Sequence, residues 1–417
     1  MTDNPEQDSA AHNRVATMVA SGSEQTTAID CGNGIFENKG IGSSYLVTTP
    51  AGNVLVNTGT LRDARRGKGL FEAASSHPIH TIILTQSHVN QYGGLELYKT
   101  AENQVVAHRI YEDDLRYSAM LSAHYRRGSR RIFGNITGSS ADLLPTRDIP
   151  PDRLIDDQYQ FELGGRQFEL IWTPGGETRS ALIVWLPQTR VALVGNLFGP
   201  LFGNQPNLNT LRGDKPRSAL EFIESVKTVK ALQPVQILTG HENIQGENHI
   251  AESLTRIIAS VQWVHDHTVA GMNEGKTLSA LMSEVQPPPE LALTEEYGKV
   301  SWNVRAIWHE YTGWYDPSSG ITGLFPSSAS AIEPMLVELC GGPNPLLAAA
   351  HNYCANQQPL AALKVLDILD NADVCTSDTH QARRDALELL QQQCGDHNLW
   401  ERRFIAAALA ELNASER

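Results

Sequence analysis

Short β-rich runs fill the first half of this chain, and after Gly246 the pattern turns almost wholly helical; that switch limits what the sequence can fold into. The runs at 44–49, 53–57, 80–85, 104–107, 168–172, 181–186, 191–194 and 235–239 are rich in Val, Ile and Leu and lack clean alternation. Strands of that kind are buried on both faces, which requires helices outside the sheets, and helical patterns at 95–100 and 218–232 supply them. Beyond Gly246, apolar residues recur at three and four spacing through 250–272, 345–369 and 379–394. This predicts an α/β domain over 26–248 and an all-helical domain over 249–417, preceded by a polar, disordered stretch 1–25. A chain of 417 residues exceeds what one hydrophobic core usually organises, so two domains are expected on length as well.

Composition removes several classes of function. No apolar run approaches the roughly 20 residues of a membrane span. A formal net charge of -14 repels phosphate backbones, and the cluster Arg126, Arg127, Arg130 and Arg131 is too short to make a nucleic-acid surface. It could still steer one small anion. The N-terminus lacks the apolar core and cleavage site of a secretory signal, so a cytoplasmic location is expected. Five scattered cysteines without Cys-x-x-Cys spacing indicate neither a disulfide framework nor a zinc ribbon.

The chemistry should lie where buried strands end in polar residues. Residues 81–94 form a buried run ending in Thr85, Gln86, Ser87, His88, Val89, Asn90 and Gln91, followed by Tyr92, Gly93 and Gly94. This resembles the His-x-His-x-Asp-His signature of the metallo-β-lactamase superfamily, which feeds two adjacent metal ions. Laid on that motif, Gln86, Asn90 and Gln91 occupy ligand positions, and His88 alone is of the family's type. Upstream, Asn57 takes the Asp position of a strand ending in Asp-x-Gly.

Further along, the segment 172–178 resembles the Thr-Pro-Gly-Thr-Glu turn of the alkyl sulfatases, which implies Glu177 as a carboxylate ligand. Asn196, or less favourably Gly195, falls where that family has a bridging Glu, and His241 matches its last ligand histidine. Asn209 to Gly213 resembles a Thr-Leu-Arg-Gly segment, implying Arg212 as an anion anchor, since a planar guanidinium suits a tetrahedral oxyanion. Segments 296–304 and 311–316 resemble the alkyl-sulfatase dimerisation domain, which implies a homodimer. They place Tyr297 in the substrate site, with Trp302 where the family usually has His. The family's further sterol-carrier-like domain has no counterpart before Arg417.

The resemblance implies an αββα sandwich followed by a helical dimerisation domain. The replacements share a direction: Gln spans the reach of imidazole and Asn is isosteric with Asp, while a neutral amide oxygen is a poor zinc ligand. The expected cofactor is therefore none or a single zinc held by His88, Glu177 and His241, rather than a dinuclear centre. The expected substrate is a small, partly apolar, anionic molecule contacted by Arg212, Tyr297, Gln86, Asn90, Gln91, Asn196 and Trp302.

Catalysis would fall to Glu177, His88 and His241. A mononuclear-metal hydrolase and a metal-independent acid-base enzyme of lyase, isomerase or cyclase type both remain open. So do an intact alkyl sulfate ester hydrolase and a non-catalytic binding or scaffold protein. In the metal-independent case, a Glu177 carboxylate in an amide-lined pocket without cations would have its pKa raised by desolvation.

Overall fold

The computed structural model describes residues 14, 22–133, 148–208, 211, 215–315, 317–325 and 331–415. The N-terminal stretch expected to be disordered falls largely outside these residues. The chain divides into two compact units, residues 1–311 and 312–417.

The first unit is built from two sheets. One comprises β1 (Ile29–Asp30), β2 (Ile35–Asn38), β3 (Ser44–Thr49), β4 (Gly52–Val56), then β5 (Ile79–Ile83) after helix α1 (Leu61–Ala74). Short helices α2 (Val89–Tyr92) and α3 (Leu95–Tyr98) lead to β6 (Gln104–His108), and α4 (Tyr111–Met120) and α5 (Ser122–Phe133) precede β7 (Arg153–Ile155). These strands pair in sequence order, β4 to β7 all parallel. The second sheet runs from β8 (Gln158–Leu163) through β9 (Arg166–Trp172), β10 (Leu182–Leu186) and β11 (Val191–Gly195) to β12 (Gln236–Thr239) and β13 (Asn243–Gln245). Helix α6 (Ala219–Ala231) crosses from β11 to β12, which run parallel.

Strand parity decides the layers. Val54, Val56, Ile83 and Val106 of the first sheet meet Leu170, Leu182, Val184, Leu193 and Leu238 of the second in one buried cluster. Their alternates Leu55, Ile82, Leu84 and Val105 turn the other way, onto Ala64 and Phe71 of α1 and Leu95 and Tyr98 of α3. Ile183, Trp185, Ala192, Val194 and Ile237 likewise face Phe222, Ile223 and Val226 of α6. The result is the expected αββα sandwich, with strands buried on both faces.

Helices α7 (Glu247–Asn273), α8 (Leu278–Glu284) and the start of α9 (Val300–Thr312) belong to this unit, because Ile250, Leu254, Ile257, Leu281, Val300, Val304 and Ile307 join the same cluster as α6. The division of the chain thus falls at 311/312, not at the 248/249 suggested by the change of periodicity. Helical periodicity reports an apolar face, and here that face packs on a sheet. In residues 312–417, α10 (Glu333–Leu339), α11 (Pro343–Ala355), α12 (Pro359–Asn371), α13 (Ser377–Cys394) and α14 (Leu399–Ser415) follow one another. Val337, Ala350, Ala362, Leu366, Leu369, Ala382 and Ala386 form a separate small core there.

One close approach fixes α6 against the turn after β9. A Cβ on Gly175 would lie 2.2 Å from both the Cα and the N of Phe222, backbone atoms that no rotamer change can move aside. Gly175→Ala should therefore cost roughly 2–3 kcal/mol, read as a lower urea midpoint with an unchanged m-value. A midpoint equal to wild type would show that the turn and helix separate without penalty.

Candidate functional site

The parallel pairing brings the C-terminal ends of β4, β5, β11 and β12 to one edge, where the two sheets are stitched together. Leu182 N donates to Thr85 O at 2.9 Å, Ser43 N to Gly240 O at 2.7 Å, and the Tyr45 hydroxyl to Thr239 O at 2.7 Å. Asn57 sits at the end of β4 with φ 60°, a left-handed conformation that Asn tolerates. Its Oδ1 accepts from Thr85 N at 2.8 Å and Thr85 Oγ1 at 3.1 Å, so it holds the tip of the β5 loop and acts as a positioning residue.

Glu177 is delivered by the turn between β9 and β10. Thr173 N donates to Ala181 O, Gly176 N to Thr173 O and Gly175 N to Ser225 Oγ, at 2.9, 3.1 and 3.1 Å. From α4, Asp114 accepts from Arg179 Nη2 at 3.2 Å and Ser180 N at 3.1 Å, pinning the far side of the turn. The carboxylate this presents is 9% exposed, and an anion so buried must be matched by hydrogen bonds and charge.

Asn196, His88 and Arg217 are among the groups that match it. Asn196 Nδ2 donates to Glu177 Oε2 at 3.1 Å, and Gln91 Nε2 in turn donates to Asn196 Oδ1 at 2.9 Å. The anion at the end of this chain fixes which way each amide is turned. His88 Nδ1 lies 3.4 Å from Glu177 Oε2 and 3.0 Å from the Gln86 side-chain amide. A lone pair on Nδ1 would face the carboxylate, so we assign the proton to Nδ1 and turn the Gln86 oxygen toward it. The third group is Arg217, 6% exposed, with Nη1 3.6 Å from Glu177 Oε1 and 2.6 Å from the Asn207 carbonyl that accepts from it.

Arg217 corrects one expectation. The pocket around Glu177 was taken to lack cations; a buried guanidinium lies beside the carboxylate. Sequence reading passed over Arg217 because it matches no motif. The available signal was its place one residue before Ser218, the cap of α6, whose Oγ accepts from Glu221 N.

Of the other expected site residues, Asn90 is half-buried and its Nδ2 donates to Ile41 O at 3.4 Å. His241 is buried with Nδ1 lacking a hydrogen-bond partner among the described residues, as does Gln91 Oε1. Burial lowers its pKa to about 4, opposed by the nearby Glu177 charge. Tyr297 is buried close by: a Cβ on Gly199 would lie 3.8 Å from its ring and 4.0 Å from Glu177 Oε1. Trp302 is half-buried on α9, with Lys299 Nζ 5.9 Å from its ring centroid. Arg212 lies outside the described residues, as do the side chains of Arg126, Arg130 and Arg131. Among the described residues, no three His, Cys, Asp or Glu side chains gather in a way that would hold a metal ion.

A cleft of about 130 Å³ opens over this centre, lined by Ser87, His88, Glu177, Tyr117, Lys215 and Arg217 among others. Beside it, His108 at the end of β6 stacks on Trp172 with centroids 4.9 Å apart, and Trp172 Nε1 donates to Arg179 O at 2.8 Å.

Residues 38–241 match the metallo-beta-lactamase superfamily and residues 277–415 match the alkyl sulfatase dimerisation family. A linear primary-alkylsulfatase from Pseudomonas sp. (strain ATCC 19151) is 26% identical over 73% of this chain and 62% of its own length. The alkyl/aryl-sulfatase of Saccharomyces cerevisiae is 25% identical over 80% of this chain and 55% of its own. The chain thus spans less than two thirds of the length of these curated relatives. Among solved structures, the stereoselective inverting sec-alkylsulfatase from Pseudomonas sp. superposes with a TM-score of 0.81 at 20% identity, covering 93% of this chain and 65% of that one. That likeness shows the shared fold.

His108 yields a pH prediction. Ile110 N donates to its Nδ1 at 3.2 Å, so the neutral ring carries its proton on Nε2, and burial, with Arg109 adding, lowers its pKa to about 4. An unfolded histidine titrates near 6.5, so between 6.5 and 4 the unfolded chain binds the extra proton. Stability should be full above about pH 6.5 and fall as pH drops toward 4, with His108 contributing roughly 1–3 kcal/mol of the loss. Thermal midpoints of wild type and His108→Gln across that window should converge toward acid pH; parallel curves would contradict this.

Proposed function

We propose that this chain, which belongs to the metallo-beta-lactamase superfamily and carries an alkyl sulfatase dimerisation region, is a sulfatase-like hydrolase in which the His88–Glu177 pair does acid-base work on a small anionic amphiphile. The observation that carries the reading is the convergence on Glu177: a buried carboxylate held by Asn196, Arg217 and His88. With Nδ1 of His88 committed to Gln86 and Glu177, proton exchange with water or substrate falls to Nε2. Glu177 then orients the ring and stabilises its charged form, as a carboxylate does behind a catalytic imidazole. General-base help of this kind contributes about 10²–10⁴-fold in rate.

Members of the superfamily usually bind zinc. The donor set here does not fit a pair of zinc ions, because Gln86, Asn90, Gln91 and Asn196 offer neutral amides, which are poor zinc ligands, and one polar atom of each is bonded to His88, Ile41, another amide or Glu177. A second reading, one zinc shared by His88, Glu177 and His241, is favoured by a single observation, the buried His241 Nδ1 without a partner among the described residues.

The relatives carry the substrate class: those named alkylsulfatases support an alkyl sulfate ester as the amphiphile. In such an ester, His88 would take the proton of the attacking water and later return it to the departing alkoxide, while the cleft's cations hold the sulfate oxygens.

Both Glu177→Gln and His88→Asn should lower kcat for a medium-chain alkyl sulfate at least 100-fold, with zinc by elemental analysis well below one per chain. Near-stoichiometric zinc together with loss of activity on chelation would move the proposal to the mononuclear reading; full turnover by Glu177→Gln would end it.

We also propose a homodimer formed through the C-terminal helical region. Besides the family match, Trp314, Ile321, Leu324, Phe325, Ile332, Met335 and Leu339 are all more than half exposed, and apolar exposure on that scale marks an interaction surface. Sedimentation equilibrium should give twice the 45.7 kDa of the chain. A monomer that persists at micromolar concentration would refute the dimer.

A further inference from the structure

Two helices of the first unit, α7 and α9, bring together a set of titratable side chains that the Glu177 centre does not use. His265 stands toward the C-terminal end of α7, and Tyr311 in the last turn of α9. The Tyr311 hydroxyl lies 2.7 Å from His265 Nε2, and His265 Nδ1 lies 2.8 Å from Asp266 Oδ1. One turn earlier on α7, Gln262 Nε2 donates to the same Asp266 oxygen at 2.8 Å and holds it in place. The imidazole is buried and meets the Tyr311 ring edge-on, with centroids 5.9 Å apart and planes at 72°. Tyr311 itself is 47% exposed.

The chemistry of the partners fixes the order of the protons. An ionised carboxylate only accepts, so His265 Nδ1 donates to Asp266, and in the neutral imidazole Nε2 is left to accept from the phenol O–H. Carboxylate, imidazole and hydroxyl thus stand in the order that activates a nucleophile: a base within hydrogen-bond reach of it, and a third group that turns the base. His267 points elsewhere, donating from Nδ1 to Trp263 O at 2.8 Å and stacking on the Trp263 ring with centroids 3.6 Å apart. Glu310 and His267 also act electrostatically on this set. Burial, with Glu310 and Asp266 adding, pushes the Tyr311 pKa up. A phenol so placed gains little by ionising alone and much by handing its proton to a base as it attacks, an assistance of about 10²–10⁴-fold.

We propose that Tyr311 is a reactive tyrosine, which takes an acyl group from an activated ester with His265 as the base. In that step Tyr311 Oη bonds to the acyl carbon, the bond from that carbon to the leaving oxygen breaks, and the phenol proton passes to His265 Nε2. The leaving group departs as its anion, and the imidazolium then gives its proton to water. With 4-nitrophenyl acetate the products are O-acetylated Tyr311 and 4-nitrophenolate. Because Tyr311 is nearly half exposed, the ester reaches it from solvent. The step uses none of the residues around Glu177, so it stands or falls apart from the hydrolase reading.

The test is to incubate the full chain with 4-nitrophenyl acetate and follow acetylation of each tyrosine by peptide mass spectrometry. Tyr311 should be acetylated at least tenfold faster than Tyr353, which is 36% exposed. The rate at Tyr311 should reach half its maximum well below the pH of about 10 at which phenols ionise. His265→Gln should slow acetylation of Tyr311 at least tenfold, with an unchanged thermal midpoint confirming its fold. If that variant does not fold, the wild-type pH profile decides.

Three results overturn the proposal: Tyr311 and Tyr353 acetylated at equal rates, a half-maximum near pH 10, or wild-type acetylation of Tyr311 in folded His265→Gln. Acetyl found on His265 in place of Tyr311 does so too, since the imidazole would then be the nucleophile and not the base.

Discussion

A carboxylate buried to 9% exposure is the constraint around which the rest of the site is arranged. Leaving water costs an ionised carboxylate several kcal/mol unless partners replace its hydration. Glu177 recruits them from three separate parts of the chain: His88 after β5, Asn196 after β11 and Arg217 before α6, with Gln91, from the same segment as His88, at one remove through Asn196. Parallel strand pairing is what brings those loops to one edge. The packing of Gly175 on Phe222 sets where the Glu177 turn meets α6, and with it the approach of Arg217.

The same constraint explains why the amides form an ordered set. An amide has a donor and an acceptor, so a row of them transmits polarity in one direction, and here the row runs from Gln91 through Asn196 to the anion. Asn57 serves a different end, fixing the β5 loop by accepting from Thr85. The amides thus form a hydrogen-bonded framework, in which formal charge is concentrated in the few ionised groups. The cleft is lined by Arg179, Lys215 and Arg217 together with Asp114, Glu177, Glu221 and Glu310.

Much of this was legible along the chain. Runs of Val, Ile and Leu without alternation announced doubly buried strands, and those strands are the two sheets; the polar tip at 85–91 marked a candidate site, and His88 lies beside Glu177 with Gln86 next to it and Gln91 reaching it through Asn196. Residues that act through distant partners were less legible. Nothing in the local sequence tells that Asp114 grips Arg179, that Tyr297 comes near Glu177, or that helices after Gly246 cover a sheet formed earlier. Helical periodicity is the same whether the apolar face meets another helix or a strand layer, which is why the change of pattern and the division of the structure lie some sixty residues apart.

What the sequence alone determined is therefore the doubly buried strands with helices outside them, the helical character of the second half and the positions where polar residues end buried strands. These follow from local periodicity and from the cost of burying backbone at a strand tip. What only the tertiary structure decided is the charge state of the centre. Arg217 lies 40 residues from Glu177 in the chain, belongs to no motif, and becomes its counter-ion only because α6 packs on the turn that carries the carboxylate. Electrostatic pairing acts through space over a few ångströms, so the chain order cannot reveal it until the packing has been made.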